Sequence, residues 1–163
     1  MTQHINEQGV AFTIPTTFSP SLENSLWHMG NLLSFLVTSK ETNGRFALLA
    51  VTGRKGGEAP LHVHHREEEC FYMLEGEIIV IFNNQELHVA AGQFVVLPRN
   101  VPHTFRLASE EAKWMSLFIP AGFEEFFVET GMPALSLSLP SEIPAPNLEA
   151  FKAAATKHDI EFL

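Results

Sequence analysis

The sequence has little cysteine, little positive charge and no long apolar run. Cys70 is the single cysteine among 163 residues, so the chain forms no intrachain disulfide and gives no sign of an oxidising compartment. Lys and Arg number 10 against 19 Asp and Glu, a formal net charge of −9. Such a chain repels phosphate backbones, and no basic cluster offsets the repulsion, so we expect no nucleic-acid partner. No apolar run approaches the roughly 18–20 residues that span a bilayer, so we also expect no membrane partner.

The composition is that of a folded globular domain. Apolar residues make up 45% of the chain and charged residues only 18%, which supports a sizeable core and excludes general disorder. The length fits a single domain spanning residues 1–163, and no internal repeat or linker interrupts it. The segment Met1–Gly9 is polar and lacks the features of a signal peptide, so we expect a soluble, cytoplasmic protein.

Short strands separated by turn residues dominate the middle of the chain. The predicted strands are Arg45–Thr52, Cys70–Leu74, Ile78–Phe82, Glu86–Ala90, Phe94–Leu97, His103–Leu107 and Lys113–Ile119. The pair Asn83-Asn84 tolerates positive φ and predicts a tight hairpin. Because no helices of about 10–15 residues separate these strands, the pattern favours an all-β sandwich or barrel over a parallel sheet.

Two less regular segments flank the predicted barrel. The divisions are an N-terminal arm (1–43), a barrel core (about 44–120) and a C-terminal extension (121–163). We interpret the first segment as an arm on the barrel, because its isolated large apolar residues need burial; Leu22–Met29 is either a short strand or a helical turn. The extension contains two predicted short helices, Phe123–Thr130 and about Leu148–His158, the second capped by Asn147.

The strand Glu77–Phe82 is apolar on both faces. Ile78 and Val80 point to one side, and Ile79 and Ile81 to the other. A half-solvated strand would alternate apolar with polar residues. One face can fill a barrel, and the other must be covered by the N-terminal arm or by a second subunit. We therefore expect a homodimer.

Histidines cluster in the segment Leu61–His65. Three of the eight histidines lie there, and in an extended strand His62 and His64 point to the same face. Two imidazoles side by side are a natural start for a metal site. His103 follows several strands later, so only an antiparallel barrel or sandwich would bring it to this pair.

The spacing around these histidines resembles the cupin family. The first cupin motif, G-x5-H-x-H-x3–4-E-x6-G, is matched throughout by Gly56, His62, His64, Glu69 and Gly76. The joint match of these spacings with those of a second motif makes the resemblance specific.

The second cupin motif, G-x5-P-x-G-x2-H-x3-N, is matched with two departures. Gly92, Pro98 and His103 agree with it, whereas Asn100 replaces a glycine and Leu107 replaces the final asparagine. Asparagine is the best substitute for glycine where φ is positive, so the first departure is compatible with the fold.

The resemblance implies a cupin jelly-roll barrel that holds one divalent metal ion (Fe, Mn, Ni, Co, Cu or Zn). The ligands it implies are His62, His64, Glu69 and His103. Glu67, Glu68 and Glu69 are consecutive, but only Glu69 is separated from Gly76 by the six residues that the motif requires. We therefore interpret Glu67 and Glu68 as a solvated loop edge. The alternative for the histidines is a polar barrel lining without metal.

Within the cupins, the chain most resembles single-barrel, quercetin-dioxygenase-like members, through the stretches Pro60–His65 and Glu67–Tyr72. The resemblance implies a metal-dependent dioxygenase that acts on a flavonol-like or other aromatic small molecule, with Glu69 as the catalytic base. We expect the substrate pocket to be lined by Phe46, Phe71, Met73 and Phe105.

Two other functions stay open. One is a non-oxidative cupin that binds a small molecule or a metal for sensing or storage. The other is a metal-dependent isomerase, which would need polar residues pointing into the barrel. Tyr72, the only tyrosine, is predicted to face away from Glu69.

Overall fold

Short strands of alternating burial build two antiparallel sheets. A computed structural model describes Phe12, residues 14–142 and residues 147–163. Within them the strands are β1 (Ser25–His28), β2 (Asn31–Val37), β3 (Ala47–Arg54), β4 (His62–His64), β5 (Glu68–Glu75), β6 (Glu77–Phe82), β7 (Gln85–Ala90), β8 (Phe94–Leu97), β9 (His103–Leu107), β10 (Glu111–Ile119), β11 (Met132–Pro133) and β12 (Ile160–Phe162). The α-helices are α1 (Ser39–Thr42), α2 (Glu124–Thr130) and α3 (Leu148–Lys157), and a short 3-10 helix spans Leu22–Asn24.

The chain crosses repeatedly between the two sheets. The larger sheet has the strand order β11-β1-β2-β3-β10-β5-β8, and the smaller has the order β12-β4-β9-β6-β7. Neighbouring strands in both are antiparallel. This arrangement confirms the all-β, jelly-roll class expected from the sequence.

Alternate side chains of the two sheets fill the space between them. In β10, Ala112 and Trp114 are buried, whereas Lys113 between them is exposed. In β3 the same alternation buries Leu49 and Val51. Burial of each large apolar side chain contributes about 1.5–3 kcal/mol, so this interior is the main source of stability.

Residues 25–37 correct the predicted N-terminal arm. They form the hairpin β1–β2, whose turn residues Met29 and Gly30 have φ of 50° and 83°. Strand β2 then pairs with β3 inside the larger sheet. Both faces of the hairpin are covered, since the consecutive residues 31–34 of β2 are all buried. Both faces therefore carry apolar residues, so the sequence of this segment lacks the alternation of apolar and polar residues that predicts a strand. Residues 1–11 and 13 of the predicted arm, with the polar segment Met1–Gly9, lie outside the described residues.

The C-terminal extension contains the two predicted helices and two short strands that were not predicted, β11 and β12. The Asn147 side chain caps α3 by accepting from the Ala150 N–H at 3.2 Å. After this helix, β12 pairs with β4, which adds a strand to the smaller sheet. Three residues are too few to give a strand pattern in the sequence. Among the described residues, none of the helices combines the length and apolar character needed to cross a membrane.

Phenylalanine rings pack the extension against the barrel. Phe126 of α2 lies 5.2 Å from Phe151 of α3, and Phe151 lies 4.8 Å from Phe162 of β12, between ring centroids. His28, from β1, is inserted into this cluster, with its ring 5.1 Å from that of Phe127. Such ring pairs add to the stabilisation from buried area.

His28 is a buried imidazole in an apolar environment. Its Nε2 atom has no hydrogen-bond partner among the described residues. Burial lowers the pKa of His28 to about 4, so the ring is neutral at physiological pH.

We expect His28 to make the fold less stable in acid. Because its pKa in the folded state is about 4 and its ordinary value is 6.5, the unfolded chain binds more protons between these values. Stability is therefore lost as pH falls from 6.5 towards 4, by an amount on the order of 3 kcal/mol. A His28→Phe variant, whose ring suits the surrounding aromatics, should lose less stability than the wild type over this interval. Urea unfolding at both pH values measures the difference, and equal losses would contradict the assignment.

Candidate metal centre

Three histidines meet because β4 and β9 are neighbours in the smaller sheet. His62 lies directly opposite His103 in the antiparallel register. His64 shares the inward face of β4 with His62, and all three imidazoles are buried. The expectation that only an antiparallel barrel or sandwich would join them is confirmed.

Glu69 reaches the histidines from the opposite sheet. It lies on β5, and its Oε2 atom is 3.4 Å from Nε2 of His103 and 3.6 Å from Nε2 of His64. One potential ligand atom from each of the four side chains lies within 4.8 Å of the others, and all four residues are buried. Such a set could hold one metal ion between the two sheets.

Backbone carbonyls orient two of the rings. Nδ1 of His62 lies 2.7 Å from the Pro60 carbonyl, and Nδ1 of His103 lies 2.9 Å from the Val101 carbonyl. A carbonyl oxygen only accepts, so each Nδ1 carries a hydrogen, and in the neutral ring each Nε2 has a free lone pair. This tautomer is the one that metal-ligating histidines have when the other ring nitrogen donates to a carbonyl. The residues therefore fit a divalent metal ion.

The charges in the site also suit a cation. Burial lowers the pKa of His62 below its ordinary value and lowers that of His64 to about 4. Burial alone would raise the pKa of Glu69, but the hydrogen bond with His103 and the neighbouring imidazoles outweigh it and hold that pKa low. The same contact with Glu69 outweighs burial at His103 and raises its pKa. At neutral pH the site has an ionised carboxylate and mostly neutral imidazoles, which is the state that binds metal.

Turn residues of the two motifs hold the strands of the site in place. Asn100, which replaces a glycine, has φ of 62°, and its N–H donates to the His64 carbonyl at 2.9 Å. Gly76 has φ of 79°, and a Cβ atom there would lie 2.5 Å from Ser109 Oγ. Leu107, which replaces an asparagine, is buried in the core. The departures from the motif therefore keep the geometry of the turns and the packing of the barrel.

One of the three consecutive carboxylates was assigned to the wrong environment. Glu67 is 1% exposed, and is not part of a solvated loop edge. It lies beneath the segment that follows β10, where an added Cβ on Gly122 would be 3.9 Å from its Oε1. Burial raises the pKa of Glu67 to about 7. Glu68 has a partly exposed side chain, 3.9 Å from Arg99. Three adjacent glutamates look alike in a sequence, because only the packing of the flanking loop distinguishes them.

Three of the four donors, His62, His64 and Glu69, line a cavity with aromatic walls. Of the four residues expected in a substrate pocket, Phe71 and Phe105 line this cavity, whereas Phe46 and Met73 are not among its described lining residues. Phe46 precedes β3 by one residue and so alternates to the outer face, away from the buried Ala47. Met73 is fully buried in the core cluster, further along β5 than Phe71.

Several lining residues were missed by the sequence analysis. They include His28, Trp114, Ser116, Phe123, Phe126, Phe127, Phe151 and Phe162. Phe123 is in direct contact with the centre, since its ring centroid is 4.4 Å from that of His64. The aromatic run 123–127 could have indicated a pocket wall, but β1 gives no such indication for His28.

Comparison with known proteins agrees with this geometry. The cupin domain profile matches residues 51–119. A quercetin 2,3-dioxygenase from Bacillus subtilis is 34% identical over 98 residues, which cover 60% of this chain and 29% of that protein. The HTH-type transcriptional regulator PuuR of Escherichia coli is 33% identical over 70 residues, covering 43% of this chain and 38% of the regulator. The chain thus matches only about a third of the length of either relative.

The solved structures give the same fold. An RmlC-like cupin from Shewanella frigidimarina superposes with a TM-score of 0.56 at 21% identity, over 68% of this chain and 96% of that one. At this identity the likeness concerns the fold alone. The motif spacing, the two-sheet barrel and the profile match agree, and residues 51–119 of the chain form a cupin domain.

Proposed function

We propose that this protein is a metal-dependent dioxygenase that acts on a flavonol-like or other aromatic small molecule. The observation that carries the proposal is the buried set of three histidines and one glutamate at the end of an aromatic cavity. The likeness to a Bacillus protein named quercetin 2,3-dioxygenase supports it.

The proposed metal ligands are the four buried donors of the centre. They are His62, His64, Glu69 and His103. Three neutral imidazoles and one carboxylate leave a divalent ion with a net charge near +1 and with open coordination positions. A bound ion would supply Lewis acidity and a fixed point for an oxygen donor of the substrate.

The cavity walls suit a flat, largely apolar substrate. Phe71, Phe105 and Trp114 lie within 6 Å of one another between ring centroids, in edge-to-face contacts. Aromatic faces pack well against another planar ring and exclude water from it. We infer that these residues orient the substrate so that its hydroxyl group reaches the carboxylate of Glu69.

Glu69 is the proposed catalytic base. Its carboxylate is ionised, and it faces the same cavity as the histidines. It can therefore take the proton of a substrate hydroxyl at a carboxylate oxygen, which makes the substrate more electron-rich towards O2. Nε2 of His103 lies 3.4 Å from the same carboxylate and donates to it only when the imidazole is protonated.

We expect the purified protein to bind one divalent metal ion per chain. A His103→Gln substitution removes one ligand and should weaken metal binding by at least about 100-fold. His65→Gln is the matched control, since His65 is exposed and contacts Asn100 and Glu161 rather than the centre. Metal analysis after dialysis against a weak chelator measures both, and equal metal content in the two variants would contradict the ligand assignment.

Metal should be lost in acid, because each ligand binds it only when deprotonated. The pKa of His103 lies above its ordinary value of 6.5, so protons compete there first as pH falls. We expect retention at about pH 8 and loss on dialysis at about pH 4, below the ordinary pKa of histidine. Metal that stayed bound at the lower pH would count against imidazole ligation.

A Glu69→Gln variant should separate catalysis from metal binding. The amide keeps the size of the side chain and one oxygen donor but cannot take a proton, so turnover should fall by about 10²–10⁴-fold. Metal content should fall much less. Oxygen uptake with a panel of flavonols and catechols measures turnover, and Glu68→Gln, at the outward-facing neighbour, is the control. Unchanged turnover in Glu69→Gln would remove the proposed base.

A non-oxidative binding cupin is the second candidate function. It is supported by the region that resembles the regulator PuuR. Ligand binding without oxygen uptake, with each of several added metals, would favour it. The isomerase alternative has less support, because the described cavity lining contains no Lys, Arg or Tyr side chain.

A further inference from the structure

The cavity of the metal centre, which we call the inner cavity, is closed and small. None of the described residues that line it is exposed. Its free volume is about 80 Å³. By comparison, a protein cavity that holds one benzene ring measures roughly 150 Å³. An aromatic substrate therefore needs both a route into the inner cavity and more room than the closed cavity provides.

A second, larger pocket adjoins the inner cavity. This outer pocket has a volume of about 300 Å³ and lies at the surface, where Met132 in its wall is 45% exposed. Three residues line both the inner cavity and the outer pocket: His28, Met29 and Phe151. These three residues, which we call the partition, separate the two spaces.

Met29 is the residue of the partition that is best suited to move. It is the first residue of the two-residue turn between β1 and β2, where Met29 has φ of 50° and Gly30 has φ of 83°. Two positive φ values are typical of a type I′ turn, in which asparagine is favoured and a bulky first residue is unusual. Backbone strain of this kind is most frequent at ligand-binding and switch sites. The methionine side chain itself is flexible, so it can both close a cavity and leave it.

We propose that Met29 determines which substrates enter the site. In this structure it closes the partition, and its displacement joins the inner cavity to the outer pocket. The substrate is then an elongated molecule, with one ring beside the metal centre and a second part in the outer pocket. The inference rests on the proposed function, because it takes the reacting ring to bind at the metal centre.

The walls of the inner cavity fit a molecule of two linked rings. Between ring centroids, His64 lies 4.4 Å from Phe123, and Phe123 lies 5.1 Å from Phe127. Phe127 in turn lies 5.1 Å from His28 of the partition. Two phenylalanine rings therefore line the wall between the metal centre and the partition. A substrate with one ring at the metal centre would bring its second ring to the partition.

His28 gives the partition a polar atom that has no partner. The residue is 8% exposed, and its Nε2 atom makes no hydrogen bond among the described residues. A buried polar atom without a hydrogen bond costs free energy. A hydroxyl group of a substrate that passes the partition would supply the missing hydrogen bond at this nitrogen.

The outer pocket suits an uncharged, hydroxylated ring better than a charged group. Glu129 in its wall is ionised, since hydrogen bonds with Lys157 and His158 hold the pKa of Glu129 below its ordinary value. Nζ of Lys157 lies 2.6 Å from this carboxylate and offsets its charge. The Trp27 indole, whose N–H donates to the Ser138 carbonyl at 2.8 Å, gives the pocket an aromatic surface. A second ring of the substrate can pack on this surface.

The test is ligand binding by the full chain, loaded with Zn²⁺ and kept free of oxygen. The probes are catechol, with one ring, and 4-phenylcatechol, with two. Met29→Asn shortens the side chain and creates the Asn-Gly pair that a type I′ turn favours, so the hairpin should stay folded. Because the cost of opening the partition is removed, we expect Met29→Asn to bind 4-phenylcatechol at least about 10-fold more tightly than the wild type. Its affinity for catechol should stay within about 3-fold, because one ring does not reach past the partition.

Isothermal titration calorimetry measures both dissociation constants. Met115→Asn is the matched control, since Met115 is a half-buried methionine of β10 that lines neither space, and it should leave the ratio of the two affinities unchanged. An unchanged or lower preference for 4-phenylcatechol in Met29→Asn would overturn the inference, as would 4-phenylcatechol that binds neither protein. Failure of catechol to bind the zinc-loaded protein would instead overturn the proposed function, and the inference with it.

Fluorine NMR locates the second ring of the bound probe. The chain has two tryptophans, of which Trp114 lines the inner cavity and Trp27 the outer pocket. In protein labelled with fluorotryptophan, we expect catechol to shift only the Trp114 resonance and 4-phenylcatechol to shift both. Trp27→Phe assigns the two resonances. A Trp27 resonance that does not move when 4-phenylcatechol is bound would overturn the inference.

Discussion

The carboxylate of Glu69 buried among three imidazoles is the interaction on which the site depends. Burying an isolated ionised carboxylate in an apolar interior costs free energy, and removal of its partners would leave that cost uncompensated. Here the cost is offset by His103 at 3.4 Å and His64 at 3.6 Å. A divalent cation between the same four side chains would offset it more completely. The same electrostatic requirement thus explains both the geometry of the centre and its suitability for metal.

The larger sheet links the centre to the surface. Strand β5 alternates, so that Glu69 and Phe71 point into the barrel while Tyr72 and Leu74 point out. The candidate metal centre and the exposed apolar surface therefore lie on opposite faces of one strand. A substitution on the outer face can leave every group that lines the cavity in place, because successive side chains of a strand point to opposite faces.

The C-terminal extension contributes more than packing. Its Phe123 touches His64, and its β12 pairs with β4, the strand that carries two of the histidines. The aromatic cluster that encloses His28 also forms one wall of the cavity. Stability at the barrel mouth and the shape of the pocket consequently depend on the same rings.

The sequence by itself determined the motif spacing, and with it the strand alternation and the four polar side chains that face one another. The spacing is sufficient to predict these features because side chains along a strand alternate with a period of two. Gly76 and Asn100 also adopt the positive φ that their turns require. Tertiary structure alone decided that residues 25–37 join the sheet, that Glu67 is buried, that His28 lines the cavity and that the exposed apolar face belongs to the larger sheet. Each of these depends on which distant segment covers a given face, and neighbouring residues in the chain do not encode that contact.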